Sequence, residues 1–162
     1  MSLQSIVTPL LALLFALGAT DAMAQMPNPY GAPIGLESAK KAAAAAAAEA
    51  RKNNWTMAFA VTDPNGELVY LEKMDGTQTG SVSVAIGKAR SAALFKRPTK
   101  VFQDIVAGGG GGLRILALQG AVPIDGGFPI VMDGKIVGAI GASGAAGDQD
   151  AQCAKAGADA LK

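Results

Sequence analysis

Histidine is absent from this 162-residue chain, which narrows the chemistry before any motif is read. Without an imidazole there is no Ser-His or Cys-His nucleophile, no His-ligated zinc and no His axial ligand to haem. Gly141-Ala142-Ser143-Gly144-Ala145 has the outline of a nucleophile elbow, but Ala145 stands where the last Gly belongs and no base is at hand. Gly87-Lys88-Ala89 lacks both the Ser/Thr and the upstream Gly spacing of a phosphate loop. The glycine run 108–112 does not make G-x-G-x-x-G, because Leu113 and Arg114 fall where the last Gly is needed. It reads as a flexible connector, or as a backbone surface approached by a flat or anionic ligand. Asp63, Asp125 and Asp133 occupy turn positions, where Asp bonds to nearby backbone, and are assigned structural roles. Cys153 is alone, so no disulfide forms within the chain; it reads as a small buried hydrophobe on a helix, an intermolecular bridge or a soft ligand.

Such residues need a scaffold, and the composition describes a small one. The length suits a single domain. Half of the residues are apolar but only 5% are aromatic, and there are 21 glycines. A core thin in large side chains favours close backbone packing and self-association, which buries more surface than one small core can. The formal charge of +1 gives no pull toward nucleic acid or an anionic membrane.

The N-terminus reads as a leader over residues 1–24. Ile6 to Ala19 is an uncharged apolar run, shorter than the roughly 20 residues that span a bilayer. Ala22-Met23-Ala24 then supplies a small-x-small cleavage site before Gln25. No Lys or Arg precedes the run, a departure from the usual pattern, and an uncleaved anchor is the rival reading. Cleavage would leave a periplasmic or secreted protein with no membrane attachment.

Residues 25–35, with three prolines and two glycines, read as a linker or an arm lying on a neighbour; the domain proper is 36–162. Leu36 to Asn53 holds an unbroken alanine run, Ala42–Ala48, and is a helix that another element can approach closely. Trp55–Val61 and Glu67–Met74 form a hairpin across the tight turn Asp63-Pro64-Asn65-Gly66. Ser81–Lys96 is a helix with Val82, Ile86, Ala89 and Ala93 on one face, stopped by Arg97-Pro98. Thr99 caps a short helix over 100–107. Leu113–Leu118 is short and apolar, with room for one turn of helix. Strands at 127–132 and 135–142 flank Asp133-Gly134, a strong signal for a type I′ hairpin. Asp148 caps a last helix over 149–161. The order is helix, two strands, two helices, two or three strands, helix: an α+β fold rather than a βαβ repeat.

Met74-Asp75-Gly76, Ser81, Lys88-Ala89, Gly127-x-Pro129-Ile130, Asp133-Gly134, the run Gly138–Gly144 and Asp148-x-Asp150 together resemble the GlcG/HbpS-like family, also called the haem-degrading domain or DUF336. The resemblance runs from about Leu36 to Leu161. It implies a single antiparallel five-stranded sheet flanked by helices, in the order α-β-β-α-α-β-β-β-α, and assembly into higher oligomers, often octamers. Some exported members bind haem and take part in redox or iron sensing, and a related domain fused to a cobalamin adenosyltransferase also binds haem. A His-ligated haem site does not transfer to a chain without His. The ligand would be Met, Tyr, Cys, Lys or a hydroxyl, or the macrocycle would be held without one. The candidates are Met74 at the strand exit, Tyr70 an even number of residues earlier and so on the same strand face, and Thr77 just beyond. Lys88 or Arg90 could pair with a propionate, and Gly126-Gly127 could form a wall. The structural alternatives are packing roles for Met74 and Tyr70 and a solvated helix face for Lys88 and Arg90. Three functions follow: an exported oligomeric binding protein for haem or another planar cofactor, without catalysis of its own; an enzyme or accessory subunit acting on a small organic acid or aldehyde, with Asp75, Ser81 and Lys88 lining its pocket; or a structural module.

Overall fold

The computed structural model describes residues 25–162, so the expected leader lies outside the described residues. The elements are α1 (Leu36–Lys52), β1 (Ala58–Thr62), β2 (Leu68–Lys73), α2 (Ser81–Phe95), α3 (Lys100–Ala107), a 3-10 helix (Gly110–Ala117), β3 (Gly127–Met132), β4 (Lys135–Ser143) and α4 (Gly147–Asp159). The fold is α+β, but the sheet has four antiparallel strands in the order β2-β1-β4-β3, not five. The missing strand is the one allotted after the glycine run. There Gly109 and Gly110 take positive φ and curl the chain back, and Leu113–Ala117 winds into the 3-10 helix. The outer strand β3 also carries Pro129, which has no N–H to offer a further partner.

Alternation along β1 explains the layering. All five of its residues are buried. Phe59 and Val61 join Ile130 and Ile140 under α1 and α4, while Ala58 and Ala60 face α2. The alanine stripe of α1 (Ala39, Ala42, Ala43, Ala46, Ala47, Ala50) is wholly buried and lets α4 in close. A Cβ on Gly157 would stand 2.7 Å from the Ala42 carbonyl oxygen. The α2 face is tighter still: a Cβ on Gly141 would stand 2.2 Å from the Ala85 carbonyl oxygen and 2.6 Å from the Ala89 nitrogen. Because that sheet surface is Ala and Gly, the innermost stripe of α2 is Ser81, Ala85, Lys88, Ala89 and Ala92. Val82 and Ile86, expected to lead the buried face, sit half-buried at its border beside Leu71.

The Asp133-Gly134 turn has φ of 48° and 72°, the type I′ geometry its sequence predicts. Two expected caps are replaced. The Thr99 hydroxyl accepts instead from the Gly127 amide at 2.9 Å. Asp148 lies inside the first turn of α4, where Gln149 and Asp150 accept from the Ala146 and Ala145 amides. The arm packs on its own chain. The Ile136 amide donates to Pro29, and the Gly31 and Ile34 amides donate back to Ile136 and Val137 at 2.8 Å. The Tyr30 hydroxyl donates to the Ala93 carbonyl, also at 2.8 Å.

Cys153 is fully buried, and burial, with Glu49 and Asp150 nearby, pushes its thiol up to about 12. An unfolded thiol titrates near 8.5, so the folded pKa is the higher one. The corresponding stability is complete below about pH 8.5 and is lost as pH rises from there toward about 12. Alkylation by iodoacetamide at neutral pH should therefore wait on unfolding, and Cys153→Ala should flatten the alkaline limb of the stability profile. Rapid labelling of the native protein would contradict this.

Candidate functional site

The antiparallel order brings four strand ends together: the start of β1, the end of β2, the start of β3 and the end of β4. The first turns of α2 and α4 lie at that same end. Met74, Asp75, Thr77, Ser81, Lys88, Gly126 and Gly127 lie there, whereas Tyr70 sits further along β2, opposite Val61.

Its centre is a buried ion pair. Lys88 reaches across the end of β4, where its Nζ lies 2.7 Å from Asp150 Oδ2 and donates to the Ala142 carbonyl at 3.0 Å. The side chains are 1% and 5% exposed. Asp150 Oδ1 also accepts from the Ala145 amide at 3.0 Å. Burial pushes the Asp150 carboxyl above its ordinary range, against the pull of Lys88 and that amide. Asp125, beside the pair, is raised by burial too, partly offset by the Gly126 amide that donates to it at 2.7 Å. Gly126 closes over this pair, and Gly127 lies against the Lys88 backbone and Thr99. Gly126 has φ of +112°, and a Cβ there would stand 2.8 Å from the Asp150 Cβ and 2.9 Å from Lys88 Nζ.

Lys88 is therefore not part of a solvated helix face. It is spent on Asp150 and is not a free partner for a ligand. Cys153, a neutral buried thiol, is equally withdrawn. Arg90 does not join the others: it lies 3.6 Å from Glu67, beside the β1–β2 turn at the opposite end of the sheet.

The outer part of the site is a cleft of about 370 Å³ lined by Arg51, Glu72, Lys73, Met74 and Asp75. Met74 and Tyr70 pack against the same α1/α4-side core. The Tyr70 hydroxyl lies 3.5 Å from Glu72 Oε2, and Arg51 lies 3.5 Å from Glu72 Oε1. Asp75 is exposed. Thr77 and Ser81 are buried between the cleft and the ion pair in chain order, and their hydroxyls have no hydrogen-bond partner. The cleft thus offers a thioether and two cations balanced by two carboxylates, with Tyr70 outside its lining. Among the described residues no three His, Cys, Asp or Glu side chains group to hold a metal ion, and no helix is long and apolar enough to cross a membrane.

Asp150, Arg51 and Lys73 were given no role from sequence. Asp150 could have been suspected from Asp148-x-Asp150 at the head of a helix that follows a glycine-rich strand. Arg51 and Lys73 carry no local signal, because only the packing of α1 beside β2 brings them together.

The chain matches the family described as haem degrading protein HbpS-like over residues 34–159 and is a member of it. It is 41% identical to protein GlcG of Escherichia coli over 100 residues, 62% of this chain and 73% of that one. It is 33% identical to an uncharacterised 15.0 kDa protein from the dhaT-dhaS intergenic region of Citrobacter freundii, over 79% of this chain and 92% of that one. Among solved structures, a double mutant of HbpS from Streptomyces reticuli superposes with a TM-score of 0.74 at 33% identity, covering 82% of this chain and 89% of that one. A PduOC–haem complex does so at 0.72 and 26% identity, covering 80% and 96%.

Proposed function

We propose that this chain is an exported, oligomeric binding protein for haem or a similar planar cofactor, held without a histidine and without catalysis of its own. The observation that carries the reading is the cleft at the β2 exit. There Met74 presents a half-buried thioether with Arg51 and Lys73 alongside, in a chain of the HbpS-like family with a haem complex among its structural relatives. With Lys88 and Cys153 withdrawn, the donors left are Met74 at the cleft, Thr77 in the turn beyond it and Tyr70 further along the same strand, and Lys73 or Arg51 takes the propionate role first given to Lys88 or Arg90. When bound, haem would supply redox chemistry or serve as cargo.

The expected result is saturable hemin binding with a shifted Soret band. Met74→Ala or Tyr70→Phe should alter that spectrum, and no Soret shift with wild-type protein would end the reading. Self-association is supported by an apolar surface after the glycine run. Leu113, Leu116, Leu118 and Ile124 are 41–65% exposed around one cation, Arg114. Light scattering should return a mass well above one chain; a clean monomer would contradict it. Export is supported by the apolar run and the Ala22-Met23-Ala24 site, and N-terminal sequencing of the processed protein should begin at Gln25.

A further inference from the structure

The turn that feeds α2 faces outward with one exception. Asp75, Gly76, Gln78, Thr79 and Gly80 are exposed, while Thr77 between them is buried, 5% exposed. Ser81, the first residue of α2, is fully buried on the stripe with Ala85 and Lys88 that faces the sheet. Neither Thr77 Oγ1 nor Ser81 Oγ has a hydrogen-bond partner. A buried hydroxyl without a partner has lost its hydration for nothing, and native chains seldom keep one unless a ligand or water completes it. Two more donors lie in the same turn. The 15-residue helix α2 has no side-chain cap, and among the described residues the Val82 and Ser83 amides have no acceptor. Its dipole adds partial positive charge at that end.

We propose that Thr77, Ser81 and the first turn of α2 form a receptor for a carboxylate group. Two hydroxyls and two amides match the two oxygens of a carboxylate. Lys88, on the same stripe, is bound to Asp150, so the half-charge of the helix end suits a singly charged carboxylate better than a doubly charged phosphate. Both hydroxyl oxygens are shut from solvent here, so the ligand enters when the exposed Asp75–Gly80 turn lifts, and Thr77 closes on it as that turn returns. The carboxylate can belong to a free small acid or to a propionate of a macrocycle lying in the neighbouring cleft. The receptor does not depend on haem being the ligand.

Isotope-labelled protein would be titrated with acetate by NMR, and in parallel with hemin and hemin dimethyl ester by absorbance. If free acids bind, the Val82 and Ser83 amides shift saturably with acetate, and the Thr77→Val, Ser81→Ala double variant abolishes the shift. If only a macrocycle reaches the receptor, acetate is silent and hemin binds about tenfold more tightly than its diester, a gap that closes in the double variant. Thr77→Val alone should raise the melting temperature, because it removes an unpartnered buried hydroxyl; a merely structural hydroxyl would give a fall. Acetate silence together with equal affinity for hemin and its diester would mean that the hydroxyls hold only water, and the proposal fails. It fails equally if the double variant binds like wild type. If hemin does not bind at all, the haem reading falls, and acetate alone decides this one.

Discussion

Lys88→Ala should cost the fold about 3–5 kcal/mol, read as a lowered urea midpoint with unchanged slope. The loss would not measure the worth of the ion pair. Both partners are stripped of water, so removing the ammonium leaves Asp150 with one amide and no counter-charge in a closed space. Asp150→Ala should do comparable damage by stranding the ammonium on the Ala142 carbonyl. The double variant Lys88→Met, Asp150→Leu should recover most of the loss, since two apolar side chains of similar volume remove both desolvation terms. A Lys88→Ala cost below about 1 kcal/mol, the range of exposed pairs, would show that water reaches the pair and would overturn its description as buried.

Gly141→Ala should be as damaging, at about 3 kcal/mol or more. The added methyl would meet the carbonyl oxygen of Ala85 at 2.2 Å and the nitrogen of Ala89 at 2.6 Å. Backbone atoms cannot rotate away as a side-chain tip can. Relief needs α2 to lift from β4, which would loosen Ala58, Ala60, Ala85 and Ala89 together. Gly134→Ala is the control for an added methyl as such. Its Cβ meets nothing within 4 Å, so its cost reflects only the positive φ of the turn. A Gly141→Ala cost no larger than the control's would show that the sheet does not hold α2 this closely.

These two residues also mark the limit of what could be read in advance. Helices and hairpins were legible because each has a local cause: the alanine run of α1, Asp133-Gly134, Arg97-Pro98 after α2. The inner face of α2 was not. Periodicity weighs hydrophobicity and so favours Val82 and Ile86, whereas this interface selects for size. The sheet offers Ala58, Ala60, Ala139 and Gly141, against which only Ser and Ala lie flat. For the same reason Lys88 looked like a surface residue. Its burial depends on Asp150, 62 residues further along, a partner that no local window contains. The fifth strand came with the family resemblance, while the residues alone had left two or three strands open after the glycine run. The candidate site was legible as a neighbourhood, Met74 to Ser81 with Gly126-Gly127, but not as an arrangement. Which groups are spent and which stand free follows from contacts between distant segments.

The arm bears on when this chain can fold. Asn28 donates to the Gly134 carbonyl across 106 residues, and β1 finds its second partner only in β4. A chain emerging N-terminus first therefore exposes α1 and the β1–β2 hairpin long before β4 arrives to complete the sheet. Such distant pairing slows folding. The sheet cannot be completed until β4, the last strand in the sequence and the one between β1 and β3, is available.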